Sequence, residues 1–468
     1  MSRRQRSAGS IFWGLTLVAI GGLLLARNLG YRVPVWNAVA KYWPVLIITW
    51  GVLKLVDYYR YKKSGEHRPL FSGGEVALLI LVIFIGTAIT AAANISPSFA
   101  EIFNIPADFD LWDITGSNYE YAEHRDIEAT AGSTIEISNL YGFVDVQPAE
   151  TNRIVLDVQK FVRASDKEDA DRIERDFTFS IRNEGGRYRI VSNRDENVPR
   201  STRNEVRIGN ERQRYKSNLT IRVPLRSAID VNNKYGRVTV EGLEGAQSIV
   251  NKYGPATARS ITGSVQLENG YGTVLVENVS GDVTAMNGYA STTVRNIGGR
   301  ATISNKYGAI DIQDVKGGAI VEDRYSAINA ERVAGDVRIT GRNNSVDVDN
   351  IMGNLTVETS YKNIGIRDVQ GRMAVNNRHG SIDIELETSP KGDININAEY
   401  SDVTLNLPSD SVFTMRGHTR FGNVDSQFDA ISISRSGRDQ SLSGNQGQGG
   451  SQIVIETRHG DIRLNRRG

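Results

Sequence analysis

A tyrosine recurs at every eighteenth position through the middle of the chain. Tyr235, Tyr253, Tyr271, Tyr289, Tyr307, Tyr325 and Tyr361 fall on one lattice, with Asn343 in the single missing place and His379 in the next. A fixed period of this length restricts the fold severely, because each repeat is too small to bury an apolar face alone and copies must stack. Taking each tyrosine as offset zero, offset ten is Gly245, Gly263, Gly281, Gly299, Gly317, Gly335, Gly353 and Gly371 without exception. A glycine demanded in every coil marks either a turn with positive φ or a close approach of two backbones. Offsets eight (Leu243, Ile261, Val279 and onward to Val369) and fourteen (Ile249, Leu267, Ala285 and onward to Val375) are apolar, and offsets three, five and twelve are mostly Val, Ile or Ala. Apolar positions two apart have the period of a strand with one buried face.

The repeat predicts an all-β fold, a parallel β-helix or β-solenoid of 18-residue coils. A triangular section is expected, and a right-handed path, the hand that parallel crossovers take. The count of 46 glycines against 11 prolines suits many short strands joined by tight turns. The regular array covers residues 231–390. Ahead of it, Asn139-Leu140-Tyr141-Gly142-Phe143-Val144 repeats the coil motif, so residues 101–230 read as the first coils with an insertion. That insertion reads as a charged helix from Asp166 to Asp176, then antiparallel strands from Phe177 to Val223 around a polar loop near Asn193 to Arg214. Beyond the array, residues 391–468 loosen to spacings of 21 through Tyr400 and Phe421, carry a Gly, Ser and Gln-rich loop over 434–451, and close with His459-Gly460-Asp461-Ile462.

Outward positions fit stacking. At offset six the residues run Glu241, Arg259, Glu277, Arg295, Gln313, Glu331, Asp349, Arg367 and Glu385, so neighbouring coils often carry opposite charges. Two positions before each tyrosine stand Asn233, Asn251, Asn269, Asn287, Asn305, Asp323 and Asn377, which turn chemistry explains as a structural ladder.

Residues 1–100 read as an α-helical transmembrane domain of three segments, at about 11–29, 39–59 and 76–95. The third is free of charge throughout, while the second is short for a full span unless Lys41 and Lys54 snorkel. A cleaved signal peptide is the competing account of the first, but no small-residue cleavage pattern follows it. Cations Arg3, Arg4, Arg6 and then Arg60, Lys62, Lys63, Arg68 place the N-terminus and second loop in the cytoplasm. Three crossings put the solenoid outside the cytoplasm; a re-entrant second segment reverses this. The partner expected from this region is the lipid bilayer.

Charge excludes other partners. With 55 basic and 54 acidic residues the net charge is +1, and no global field attracts nucleic acid. Cysteine is absent, which removes disulfides, thiolate zinc sites and thiol catalysis.

The N-terminal pattern of Gly14, Gly21-Gly22-Leu23-Leu24-Leu25, Arg27-Asn28-Leu29-Gly30, Tyr42-Trp43-Pro44-Val45-Leu46 and Gly51 resembles the small membrane domain of LiaF-type bacterial envelope-stress regulators. From about residue 110 to 465, the Tyr-Gly-x-Val-x-Val repeats and the interrupted first coil resemble the putative-adhesin β-strand repeat family of bacterial envelope proteins. The second resemblance implies surface binding at the cell envelope. Bactofilins have a similar coil length, from which the three spans and long flanks here depart.

Catalysis finds little support. Parallel β-helices include polysaccharide lyases and hydrolases, whose sites need converging carboxylates. Asp311, Asp347 and Asp383 share offset four but stand two coils apart, roughly 9.6 Å by strand spacing. His67, His124, His379, His418 and His459 show no ligand spacing, and no phosphate-cradling loop is present, so no metal or cofactor is expected. The candidate binding surface is the ladder Tyr235, Tyr253, Tyr271, Tyr289, Tyr307, Tyr325 and Tyr361, edged by Lys234, Lys252, Lys306 and Arg324. Outward aromatics beside cations suit a cell-envelope glycan or another envelope protein; the plainer account is that they stack to stabilise a turn. The sequence thus supports a non-catalytic envelope protein displaying a binding or scaffold surface, with envelope-stress sensing and a polysaccharide-active enzyme as the alternatives.

Overall fold

A computed structural model describes residues 117–164, 166–196 and 215–467. The three expected membrane segments and most of the polar loop near 193–214 lie outside them. Among the described residues no helix is long and apolar enough to cross a membrane. They fall in two units, one of 120–161 with 173–196 and 215–467 and one that holds 117–119 with 162–164 and 166–172. The second contains most of the charged helix Lys167–Arg175, in which Lys167 and Asp171 pair at 2.9 Å. The solenoid belongs to the first.

Each regular coil supplies two strands. The strand after the tyrosine, as in Ala256–Ile261 and Val274–Val279, pairs in parallel with its neighbours, Ala256 opposite Val274 and Ile261 opposite Val279. The strand leading into the tyrosine, as in Gln247–Tyr253 and Val265–Tyr271, does the same, so Tyr253 lies opposite Tyr271. In-register stacking puts every residue on its own equivalent one coil away, which is why the 18-residue period is strict. Val274 and Val276 in the first strand, and Val265 and Leu267 in the second, face inward and are buried. Their equivalents, apart from the buried Gln247 and Thr292, belong to one continuous apolar column.

Two sheets of parallel strands form two sides of the coil, where a triangular section was expected. The third side shrinks to a short connection, held by bonds such as Lys316 N to Ile297 O at 2.9 Å and Gly317 N to Gly299 O at 3.0 Å. Its corner is a residue at offset seven in the left-handed region: Ser260, Asn278, Asn296, Asp314, Arg332, Asn350 and Asp368 have φ between 48° and 58°. Asn and Asp tolerate this conformation best, and five of these seven positions hold one of them. The offset-ten glycines all meet the backbone of the preceding coil closely, and Gly245 and Gly263 also have positive φ, 135° and 149°. A Cβ on Gly317 would stand 2.4 Å from Gly299 O, so the close approach of successive backbones excludes a side chain there.

Ahead of the array, Ser133–Tyr141 pairs in parallel with Ser227–Tyr235, Tyr141 opposite Tyr235. Phe179–Glu184 and Arg187–Ser192 form the expected antiparallel hairpin. The expected antiparallel run does not continue to Val223, however. Tyr215–Val223 rejoins the solenoid in parallel with Val144–Pro148, because its alternating Leu219, Ile221 and Val223 fill the inward face. Nearby, Lys160 is 2% exposed, with its ammonium 2.6 Å from Glu123, 3.1 Å from Glu174 and bonded to Phe177 O. A cation can be buried this deeply when carboxylates and a carbonyl replace its water.

Beyond the array the chain order and the spatial order part. Ile394–Tyr400 pairs with Ser451–Thr457, which pairs in turn with Phe413–Thr419. The later coil therefore sits between two earlier ones. The stretch expected as a loop over 434–451 is largely a hairpin, with Ile431–Ser436 antiparallel to Asp439–Gln446 and the latter antiparallel to Phe413–Thr419. Its Gly and Ser content misleads because Leu442 alone anchors the strand, buried against Met415 and Gly417.

Candidate binding surface

The tyrosines stand where the second strand of each coil ends, out of phase with the buried positions, and their rings stack along the axis. Successive centroids from Tyr141 through Tyr235, Tyr253, Tyr271, Tyr289 and Tyr307 to Tyr325 are 4.6–5.2 Å apart, with interplanar angles of at most 14°. A second run, in spatial order Tyr361, His379, Tyr400, His459 and Phe421, continues at 4.6–5.0 Å. The ladder predicted from the lattice is thus one surface in two runs. Sequence reasoning included His379 and His459 only as replacements for the turn tyrosine; in the structure they are full members.

Stacking decides what this surface can offer. Ring faces inside a run are covered by their neighbours, so the column presents edges and hydroxyls as a ridge. Tyr235, Tyr253 and Tyr271 are half-buried, whereas Tyr289 and Tyr325 are 46% exposed and Tyr307 and Tyr361 are also exposed. Burial, and then the neighbouring Tyr141 and Tyr253, hold the Tyr235 phenol well above its usual range, so it remains a neutral donor. Lys234, Lys252 and Lys306 place their ammonium groups 5.6, 5.6 and 5.9 Å from the centroids of the following tyrosines, within cation–π range. Arg324 is exposed and, among the described residues, makes no ring contact or ion pair.

Behind the ridge the asparagines point inward and are buried. Each amide bridges two coils: Asn269 Nδ2 donates to Gly254 O at 3.1 Å and Gly272 O at 2.8 Å, and Asn287 Nδ2 to Gly272 O at 3.1 Å and Ala290 O at 2.8 Å. The ladder is structural, and it fixes the turn that aims each tyrosine.

Two of the three carboxylates considered for catalysis are otherwise engaged. Asp311 binds Arg295 at 2.6 Å and accepts from Asn329 at 3.0 Å, while Asp383 accepts from Ser381 at 2.8 Å. Among the described residues no group of His, Asp or Glu is arranged to hold a metal. The offset-six charges pair in part, Arg259 with Glu277 at 3.1 Å and Arg367 with Asp349 at 3.4 Å, while Arg295 turns to Asp311 instead.

Comparison with known proteins agrees with this architecture. The family model described as Toastrack DUF4097 matches residues 151–465, and that of the LiaF transmembrane domain matches residues 12–105. No curated protein matches. Solved structures that match include "a putative cell adhesion protein" from Clostridium sporogenes ATCC 15579, at 8% identity over 75% of this chain and 100% of that one, with a TM-score of 0.19. "A putative adhesin" from Bacteroides fragilis NCTC 9343 matches at 11% identity over 74% of this chain and 97% of that one, with a TM-score of 0.23. A "putative lipid binding protein" from Parabacteroides distasonis ATCC 8503 matches at 11% identity over 61% of this chain and 96% of that one, with a TM-score of 0.25. With two thirds of its length in a stacked solenoid that matches one family model, and a membrane domain of the LiaF type ahead of it, the chain belongs to the Toastrack DUF4097 family.

Proposed function

We propose that this is a multi-pass membrane protein that holds its solenoid outside the cytoplasm as a non-catalytic display surface, with the tyrosine ridge binding a cell-envelope glycan. The observation that carries the reading is the run from Tyr141 to Tyr325, seven stacked rings whose hydroxyl edges face outward beside Lys234, Lys252 and Lys306. Phenol hydroxyls at a regular spacing, with ammonium groups beside some of them, suit a polymer that is itself periodic. The matched membrane domain supports anchoring, and the cation asymmetry of residues 1–100 supports the orientation.

Replacing Tyr253, Tyr271, Tyr289 and Tyr307 together by alanine tests the surface. The expected result is loss of oligosaccharide capture by a protein with unchanged far-ultraviolet circular dichroism; retained capture would overturn the assignment. Orientation is tested by a cysteine introduced at Ser443, which is exposed, in a chain with no other thiol. Labelling of intact cells by an impermeant maleimide is expected, with any outer membrane permeabilised; labelling only after lysis would put the solenoid in the cytoplasm. Envelope-stress signalling is the second reading, favoured by the LiaF-type match. A stress reporter that responds to deletion of the whole chain but not to the four-tyrosine variant would favour it over glycan binding.

A further inference from the structure

Within the column, Tyr325 and Tyr361 each stack on one ring only among the described residues. Tyr325 stacks on Tyr307 at 5.1 Å, and Tyr361 stacks on His379 at 5.0 Å, but the coil between them carries Asn343 on the lattice. On the Tyr325 side the backbone bonding continues through that coil, while the strand pairing towards Tyr361 ends at Thr340 opposite Glu358. Asn343 N donates to Arg324 O at 2.9 Å, the same bond that Tyr307 N makes to Gly288 O at 3.1 Å. What is missing is one ring. The faces of Tyr325 and Tyr361 are therefore about two strand spacings apart, roughly 9.6 Å. Elsewhere the same interval is filled by a ring, as Tyr289 fills the space between Tyr271 and Tyr307 at 4.6 and 5.2 Å.

The inner ladder changes at the same level. Asp323, Gly341 and Thr359 replace the repeated asparagine, and Asn344 turns inward to bond Asp323 Oδ2 at 2.5 Å and Ser326 O at 2.7 Å. This turn is braced by a residue that other coils do not use, so the missing ring coincides with a rebuilt coil. Charge then selects the occupant. Arg324, Arg342 and Lys362 flank the gap, all exposed, and among the described residues none makes a side-chain ion pair. An aromatic side chain from a partner would fill the gap but leave three cations uncompensated.

We propose that the gap is a binding slot for one carboxylated sugar ring, its apolar faces against Tyr325 and Tyr361 and its carboxylate among Arg324, Arg342 and Lys362. The assignment rests on the reading of the column as a glycan surface and locates the specific subsite within it. Guanidinium–carboxylate bonds are charge-assisted and directional, so a neutral sugar is the weaker ligand.

Calorimetry of the full chain in detergent micelles, titrated with tetragalacturonate and with neutral maltotetraose, tests this. Asn343→Tyr completes the column and is expected to weaken tetragalacturonate binding about tenfold or more while raising the thermal midpoint, since it adds two ring contacts. Asn343→Ala leaves the slot open and is expected to retain binding. Arg324→Gln with Arg342→Gln is expected to lower affinity for tetragalacturonate alone. Undiminished binding by Asn343→Tyr overturns the slot, and if the four-tyrosine variant loses maltotetraose in the same series the wider ridge still stands. Failure of the native chain to bind either sugar overturns both.

Discussion

The asparagine ladder makes an energetic prediction that pairs of substitutions can expose. Asn269 is 3% exposed and donates to Gly254 O and Gly272 O. Neither carbonyl depends on it alone, because Asn251 also donates to Gly254 O at 2.9 Å and Asn287 to Gly272 O at 3.1 Å. Asn269→Ala thus removes two buried hydrogen bonds but strands no acceptor, a loss of about 1–3 kcal/mol at 0.5–1.5 kcal/mol per bond. Asn251→Ala with Asn269→Ala takes both amide donors from Gly254 O and leaves it half-buried without them. Desolvation of that carbonyl should add about 1–3 kcal/mol beyond the sum of the single changes. Asn251 with Asn305 is the control, since Asn305 donates to Ala290 O and Gly308 O and shares no acceptor with Asn251. Urea unfolding of the full chain in micelles, followed by far-ultraviolet circular dichroism, gives all the midpoints. Additivity in the adjacent pair as strict as in the control pair would refute the shared-acceptor account.

Asp323 occupies an asparagine position, and burial holds its carboxyl above the usual carboxylate range. A raised acid binds its proton more tightly in the folded state, so it favours folding at low pH and costs stability as pH rises through the raised value. Asp323→Asn is therefore expected to stabilise the fold near neutral pH, with the gain fading towards pH 4 in thermal melts at both values. Gly317→Ala puts a methyl 2.4 Å from Gly299 O and is expected to cost about 1–3 kcal/mol or more in urea. Gly437→Ala meets nothing within 4 Å but has φ of 62°, and is expected to cost only about 1 kcal/mol. Removal of residues from 451 onward uncovers one long edge of Ile394–Tyr400 and of Phe413–Thr419. Soluble oligomers on size exclusion are the expected outcome, and a monodisperse product would argue against open edges.

Much of the solenoid was legible because in-register stacking makes every coil obey the same rules. The apolar offsets, the tyrosine column and the first coil at Tyr141 were all readable as period. What stayed hidden was the work of single residues within a coil. The offset-ten glycine advertised a special backbone, and Gly245 and Gly263 there do have positive φ, but the recurrent left-handed corner sits three residues earlier, where Ser260, Asn278 and Asp314 look like ordinary surface choices. A count of Asn and Asp at offset seven was the available signal. The surface residues were legible as a ladder, yet strand parity does not say that stacking hides ring faces; that follows only from centroid spacings near 5 Å. The last coils were illegible for another reason. Spacing along the chain measures spatial order only while each coil lies on the one before, and the insertion of Ser451–Thr457 between Ile394–Tyr400 and Phe413–Thr419 breaks that equivalence.

That insertion sets a rule for assembly during synthesis. A solenoid of sequential coils can be laid down as the chain emerges, each new coil finding a finished template. Here the level between residues 394–408 and 413–426 must wait for residues 451–467, which are made last among the described ones. Until they arrive Phe413–Thr419, on which the terminal hairpin docks, has no parallel strand to join. Maturation of this end is thus a post-synthetic closing step, and for a domain carried across a bilayer it would take place only after the final segment has been translocated.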